Sequence, residues 1–428
     1  MSQRIKLDYL TRIEGHAHLV IERKAGKVTG CRLEVVETPR FFEALLQGRH
    51  YSDVATIVAR VCGVCSISHT LASLMATEAA LKIEVPPAAQ LLRRLLSYGE
   101  IVQSHLLQLY FMAVPDYLGA ASLFQLLDAQ PELVRRALRL KRVGNRICEV
   151  IGGRPIHPVT TCLGGFSTKP EVGQLKQLRQ ELVASLPDLE ATVELFAEFE
   201  YPQFSRQREA ISLQANGRYP LHGSILTSSS GESCSVADYR TQIEEYLLPH
   251  STAKLARSRS GSYMVGAQAR VRNGAGHLSP MAKKVAEALQ LEQSGNNPFE
   301  NLKARLVEVI HCIEESLHVI DELLLHGMPR INSNSTPVVG GSGTAAVEAP
   351  RGLLFHRYEY AADGLLQQAD CVIPTAQNLA SIEADIQLLL PQLLDQPEEL
   401  LRQQLEMLIR AYDPCLSCST HLVKLDLA

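Results

Sequence analysis

Apolar and polar positions alternate over the first forty residues. "HAHLVIER" (16–23), "KAGK" (24–27) and "VTGCRLEVVE" (28–37) predict two strands joined by a turn that contains the glycine. From "RFFEALLQG" (40–48) the period lengthens to that of a helix. The runs 88–114, 132–153 and 169–199 are long and apolar at helical spacing. Another helix is predicted over 298–325, with Leu302, Leu306, Val309, Ile313, Leu317, Ile320 and Leu324 on one stripe. Residues 202–276 are richer in Gly, Ser and polar positions and predict short strands and loops around one helix. "GLLFHRYEYAADGLLQQADCVIP" (352–374) reads as a second hairpin turning at Asp363-Gly364, and two more helices come after it. No internal repeat and no linker divides the chain. The expectation is a mainly helical (α+β) fold, one unit over 1–428, with a large helical core and β-hairpins at the N-terminus and periphery.

Composition narrows the function classes. The 428 residues are 46% hydrophobic and 21% charged, ordinary for a globular protein able to bury a large core. A net charge of −4 with no dense basic block predicts no nucleic-acid footprint. Trp is absent and aromatic residues are scarce, which argues against a stacking surface for bases or sugars. The N-terminal stretch is not of signal-peptide type, and no run of about 18 apolar residues occurs, so a soluble cytoplasmic protein with no membrane span is expected.

Ten cysteines then change the picture. In a reducing compartment, paired ones point to metal or redox chemistry and not to a disulfide framework. "RVCGVCSISH" (60–69) and "DPCLSCSTH" (413–421) each carry Cys-x-x-Cys, in which one turn of chain aims two sulfurs at one ion. Four thiolates suit zinc or an iron–sulfur cluster. Zinc staples gather their ligands locally, whereas these pairs lie almost the whole chain apart, so a buried metal that carries chemistry explains them better. Cys31, Cys148, Cys162, Cys234, Cys312 and Cys371 lack such partners and read as small apolar residues. Taken alone, Glu14 reads as a solvated strand carboxylate, Glu43 as a helix-surface residue and Arg351 as an ordinary ion-pair partner.

The two cysteine motifs together resemble the paired signature of the large subunit of nickel–iron hydrogenases. "RIEGH" (12–16), "GGRPIHP" (152–158), "EAPRG" (348–352) and "IPTAQN" (373–378) add to the resemblance in the matching order, so it covers essentially the whole chain. "TPRFFE" (38–43) and "VPDYLG" (114–119) look like the cytoplasmic sulfhydrogenase or bidirectional NAD(P)-linked group. The resemblance implies the large-subunit fold and reversible heterolytic cleavage of dihydrogen into protons and electrons. It implies nickel held by Cys62, Cys65, Cys415 and Cys418, with Cys62 and Cys415 terminal and Cys65 and Cys418 bridging to an iron that carries carbon monoxide and two cyanides. Glu14 would lie beside Cys415 and relay protons. Arg351 would cover the open face of the cluster, held by Asp116 and Asp413. Thr375, next to Pro374, would donate to a cyanide, and His69 would lie near a bridging sulfur. His105 is either a core histidine or part of the site. Glu43, His421 and the backbone carbonyl of Cys371 would hold magnesium.

The same resemblance implies partners and processing. Electrons would leave through an iron–sulfur small subunit and a flavin and iron–sulfur diaphorase pair to NAD(P), with sulfur or polysulfide reduction as a side activity. Nickel-insertion proteins and a maturation protease that removes residues 422–428 are also implied. Three other readings compete: a hydrogen sensor on the same cluster, a complex I-like quinone-site subunit, and a structural four-cysteine zinc protein. The complex I lineage has generally lost the four cysteines, sensors are expected to lack the removable tail, and metal analysis excludes the zinc protein.

Overall fold

The computed structural model describes residues 2–24, 27–214, 217–291, 295–328, 330–333 and 340–420. The helices Ser66–Leu81, Pro87–Leu106, Pro131–Gly152 and Asn301–His326 pack on one another and form the middle of the molecule. Leu92, Leu95, Leu96, Val102, Ile147, Leu306, Val309 and Ile320 are all fully buried between them. Each such side chain contributes about 1.5–3 kcal/mol relative to exposure. Two other runs with helical period are interrupted. The 169–199 run is two helices, Val172–Ala184 and Leu186–Ala197, parted at Ser185 just before Pro187. The 88–114 run is α-helical to Leu106, then a π-helical turn over Leu107–Ala113, then Val114–Tyr117. A π-turn shifts the register of the residues after it, and it leaves Gln108 donating to the Arg410 carbonyl at 2.9 Å.

Two three-stranded antiparallel sheets flank the helices. The N-terminal sheet joins Ser2–Leu7, Ala17–Lys24 and Lys27–Val35, so the predicted hairpin is present with one more strand. It packs on the helix Pro374–Leu393. The second sheet joins Gly341–Ala349, Gly352–Tyr360 and Leu366–Val372. Its first strand, "GSGTAAVEA", carries almost no β-branched or aromatic signal. Small residues are required there because the strand lies against Ser66–Leu81: a Cβ at Gly343 would fall 2.2 Å from the Ala76 carbonyl oxygen. Ala349 pairs with Gly352, leaving only Pro350 and Arg351 in the turn. Arg351 therefore projects from the tip of a tight hairpin, its backbone set by pairing on both sides.

Segments near the two ends of the sequence, at Glu14 and Cys415, meet at one edge of this core. Glu14 lies in the connection between the first two strands, not on a strand as its alternating neighbourhood predicts, and forms a single parallel bridge to Cys415. Its carbonyl accepts from the Leu416 N–H at 3.0 Å. Gly15 permits this crossing: its φ is +87°, and a Cβ there would stand 2.8 Å from the Leu416 Cβ. Any other residue in "RIEGH" at that place would push the two segments apart. Before the C-terminal cysteines the helix Glu398–Tyr412 ends at Asp413, whose φ and ψ are 54° and 57°. Asp tolerates this left-handed conformation, and Pro414 prevents the helix from continuing.

Candidate metal centre

Both cysteine pairs converge. The Cys62 and Cys415 sulfurs are 3.5 Å apart, Cys65 and Cys418 3.7 Å, and Cys415 and Cys418 2.9 Å. All four lie within 4.8 Å of one another, and all four residues are buried. Each of the ten cysteines is a free thiol. Four sulfurs at about 2.3 Å from one ion are separated by roughly 3.2–4.6 Å, so the cage has the size of a metal site. Hydrogen bonds with Cys415, Cys418 and Cys65 hold the Cys62 thiol well below its usual pKa. Cys415 is pushed well up by its contacts with Cys418 and Cys62, and Cys418 by burial. One thiolate thus forms readily, while four in one buried cage repel each other. Full ionisation needs a cation among them, as soft-metal coordination supplies.

Local structure explains how each arm is held. Cys65 precedes Ser66–Leu81 directly, and the Cys62 sulfur accepts from the Val64 N–H at 3.2 Å. His157, from "GGRPIHP", ties the loop on both sides: its Nδ1 lies 2.8 Å from the Ala59 carbonyl oxygen, and its N–H donates to Ser66 Oγ at 2.8 Å. On the C-terminal arm, Thr375 Oγ1 accepts from the Cys415 N–H at 2.8 Å, and Thr375 opens a helix whose first residue is Pro374.

Arg351 is 3% exposed, and its guanidinium is fixed at three points. Nε donates to the Asp413 carbonyl at 2.9 Å, Nη2 to Asp413 Oδ1 at 3.0 Å, and Nη1 to Ser104 Oγ at 3.3 Å. Burial disfavours its charge, yet Asp413, Cys415, Cys65 and Cys62 raise its pKa well above the ordinary arginine value. The cation therefore lies near the sulfur cage. Glu14 lies on the other side of the C-terminal arm, where its carboxylate accepts from the N–H and the hydroxyl of Ser417, the N–H at 3.1 Å.

The structure corrects one sequence-derived contact and places the other expected site residues that it describes. Asp116 does not touch Arg351: it accepts from Arg410 at 2.7 and 2.8 Å and from Arg12. A buried carboxylate needs donors close by, and Arg12 and Arg410 satisfy both of its oxygens. Glu43 is buried and already paired, with Oε1 3.1 Å from the Lys254 ammonium and 2.9 Å from the Cys371 N–H. Cys371 thus meets Glu43 through its N–H. His421 and residues 422–428 lie outside the described residues. His69 is buried with Nδ1 3.2 Å from His356 Nε2, and His356 continues to Tyr358 and Ser73. Burial pushes His69 down to about 4, so it is neutral. His105 belongs to a separate buried network with Glu308 at 2.7 Å. Among the unpaired cysteines, Cys31, Cys148, Cys312 and Cys371 are buried, whereas Cys162 and Cys234 are partly exposed.

Several site residues were not foreseen: Ser104, Ser417, His356, and the pair Lys254 and Glu245. Ser417 stands inside the quoted cysteine motif and was legible in principle. Lys254 Nζ lies 3.0 Å from Glu245 Oε2, while the other oxygen, Glu245 Oε1, is buried with no partner among the described residues. Burial lifts that carboxyl to about 7. An orphaned oxygen beside Glu43 fits an oxygen-ligated cation.

The comparisons agree with this geometry. A family model described as nickel-dependent hydrogenase matches residues 40–135 and 264–421, and one described as HoxL-like matches residues 4–38. The chain is 34% identical to the sulfhydrogenase 1 subunit alpha of Pyrococcus furiosus, over 98% of each. It is 26% identical to the HoxS subunit beta of the NAD-reducing hydrogenase of Cupriavidus necator, covering 98% of this chain and 95% of that one. A crystal structure of an NAD+-reducing nickel–iron hydrogenase in the H2-reduced state superposes with a TM-score of 0.88 at 28% identity, covering 98% of this chain and 99% of the other. With a sulfur cage suited to a soft metal and a family match over most of its length, the chain belongs to the nickel-dependent hydrogenase family, as a catalytic large subunit that oxidises dihydrogen.

Proposed function

We propose that Cys62, Cys65, Cys415 and Cys418 would hold the nickel–iron group, Cys62 and Cys415 as ligands to nickel and Cys65 and Cys418 as ligands to both nickel and iron. When bound, this group supplies the redox chemistry by which dihydrogen yields two electrons and two protons. The observation that carries the reading is the convergence of four buried sulfurs beside a buried, fixed arginine. In this reading Cys65 and Cys418 would be the protein ligands of the iron, and carbon monoxide and two cyanides would be its other ligands. Thr375, whose oxygen accepts from Cys415, keeps its own hydroxyl hydrogen to donate to a cyanide, with Pro374 and neutral His69 lining that side.

Arg351 orients and polarises the substrate. Three bonds hold its guanidinium, so the charge is in place before reaction and costs little reorganisation. Asp413 anchors it, while Asp116 serves at a distance by holding Arg410, whose carbonyl and the next one receive Gln108 and Arg305. Glu14 takes up the released proton beside Cys415 and passes it outward. It is half-buried and so connects the sealed cage to the surface.

Among the described residues the sulfur cage is the one cluster of three or more metal-capable side chains. Electrons therefore continue through a small subunit that carries iron–sulfur clusters, and then through a flavin diaphorase to NAD(P). Sulfur or polysulfide reduction is a side activity of the same assembly. Glu43, with His421, is the place of a magnesium ion, and the orphaned Glu245 oxygen adds a donor. Among the described residues no helix is long and apolar enough to cross a membrane, and the proposed compartment is the cytoplasm. The test is metal analysis of purified protein together with infrared spectroscopy. Nickel, with iron at least equal to it and bands of iron-bound carbon monoxide and cyanide, is expected; zinc with no such bands overturns the reading.

A further inference from the structure

Glu100 is 1% exposed inside the apolar helix Pro87–Leu106, and no step above uses it. Its Oε1 accepts from the Ile67 N–H at 2.8 Å, and its Oε2 accepts from the Ser68 N–H at 2.9 Å and from the Ser68 hydroxyl. Ile67 and Ser68 stand in the first turn of Ser66–Leu81, which starts immediately after Cys65. Cys65 makes no side-chain capping bond, so the helix has no cap within its own sequence. A helix start leaves N–H groups unpaired, and leaving a buried one unpaired costs about 1–3 kcal/mol. A carboxylate delivered from another helix satisfies two of them.

The same construction recurs at the other pair. Glu14, also remote in sequence, accepts from the N–H and hydroxyl of Ser417 in the short helix Leu416–Ser419 just after Cys415. Each Cys-x-x-Cys thus leads into or spans a helical turn bound by a distant glutamate through a serine hydroxyl and backbone N–H. The two glutamates differ in access: Glu14 is half-buried, while Glu100 is sealed. The other ties on the N-terminal arm reach Ala59, Val61 and Ser66, from His157 and Arg40. Glu100 alone takes up the N–H groups of Ile67 and Ser68, two and three residues beyond Cys65.

We propose that Glu100 is a positioning residue for the metal centre, fixing the helix start behind Cys65 so that its sulfur is presented to the cage, and taking no part in proton transfer. This rests on the nickel–iron reading above. Outer groups that orient ligands are worth about 10–100-fold in metal affinity. Glu100→Ala should shift the infrared bands of iron-bound carbon monoxide and cyanide, and raise nickel loss to a chelator by about tenfold. Backbone deuterium exchange should rise at residues 67–68. Glu100→Gln, which keeps one acceptor oxygen and loses the other, should show the same changes to a smaller extent, as should Ser68→Ala. If Glu100→Ala does not fold, those two variants carry the test.

Two results overturn the proposal. In the first, bands and nickel retention stay as in the wild type while only thermal stability falls, which makes Glu100 an ordinary core residue. In the second, Glu100→Gln keeps bands and nickel but loses turnover, which makes it a proton carrier. Wild-type protein with no nickel and no such bands would instead defeat the nickel–iron reading itself, an outcome visible before any variant is made.

Discussion

Arg351→Lys separates fixed geometry from mere charge. The native guanidinium spans the Asp413 carbonyl, the Asp413 carboxylate and the Ser104 hydroxyl from one planar fork, at 2.9, 3.0 and 3.3 Å. An ammonium is a single point, and from one place it can keep the Asp413 carboxylate while losing the other two. At about 0.5–1.5 kcal/mol net for each lost bond, stability should fall by about 1–3 kcal/mol. The charge stays, so Asp413 is not left buried without a cation, and nickel content should be unchanged. The reaction should suffer more, because a preorganised donor in a buried site is worth about 2.7–4 kcal/mol of barrier, or about 10²–10³ in turnover. The assay is hydrogen-driven reduction of a viologen dye, expressed per nickel, with thermal unfolding recorded in parallel. Turnover per nickel within about threefold of wild type would refute the reasoning, since a loss below that factor is under 1 kcal/mol. Activity that falls only in proportion to nickel would refute it too, because the arginine would then be holding the site together and not acting on substrate.

The same contacts set three further expectations. Glu14→Gln should retain nickel and the bond to the Ser417 N–H, yet lose about 10²–10⁴ in turnover, since an amide cannot exchange a proton at the needed pKa; unchanged turnover would route protons elsewhere. Glu308 is fully buried and accepts from Arg270 twice at 2.6 Å, from Tyr219 at 2.6 Å and from His105 at 2.7 Å. Glu308→Gln leaves Glu348 as the one carboxylate bonded to Arg270 and should cost about 3–5 kcal/mol in denaturant unfolding, and a loss below about 1 kcal/mol would show that the network relaxes freely. Burial pushes His105 from 6.5 down to about 4 despite Glu308, with Arg305 and Arg270 adding to the shift. The unfolded chain then binds a proton that the folded one refuses, so this group stabilises above pH 6.5 and loses up to about 3 kcal/mol as pH falls from 6.5 toward 4. His105→Gln should flatten the stability curve in that window, and an unchanged slope would count against a neutral buried imidazole.

Much of the site was legible because its residues stand in short motifs. A Cys-x-x-Cys needs only one turn of chain to aim two sulfurs together, so each clamp is a local property. The helix over 298–325 was also legible: Leu302, Leu306, Val309, Ile313 and Ile320 are buried on one stripe, observed in Asn301–His326. The strand Gly341–Ala349 was not, because its small residues answer to the helix it touches and not to strand propensity. Glu100 did leave a signal, a carboxylate inside the apolar run "LLSYGEIVQSHLL", although its purpose depends on a helix start more than thirty residues earlier.

By itself the sequence determined the long helices, the hairpin over residues 16–37 and the two clamps, since each depends on residues a few positions apart. Only the tertiary structure decided which carboxylate serves which cation. Asp413 holds Arg351 while Asp116 goes to Arg12 and Arg410, and Glu43 finds Lys254. Ion pairs and caps form between groups that the fold brings within about 3 Å, and in a buried site each must be satisfied by whatever donor lies there. That choice is made by the packing of whole helices and sheets, which no local pattern of residues records.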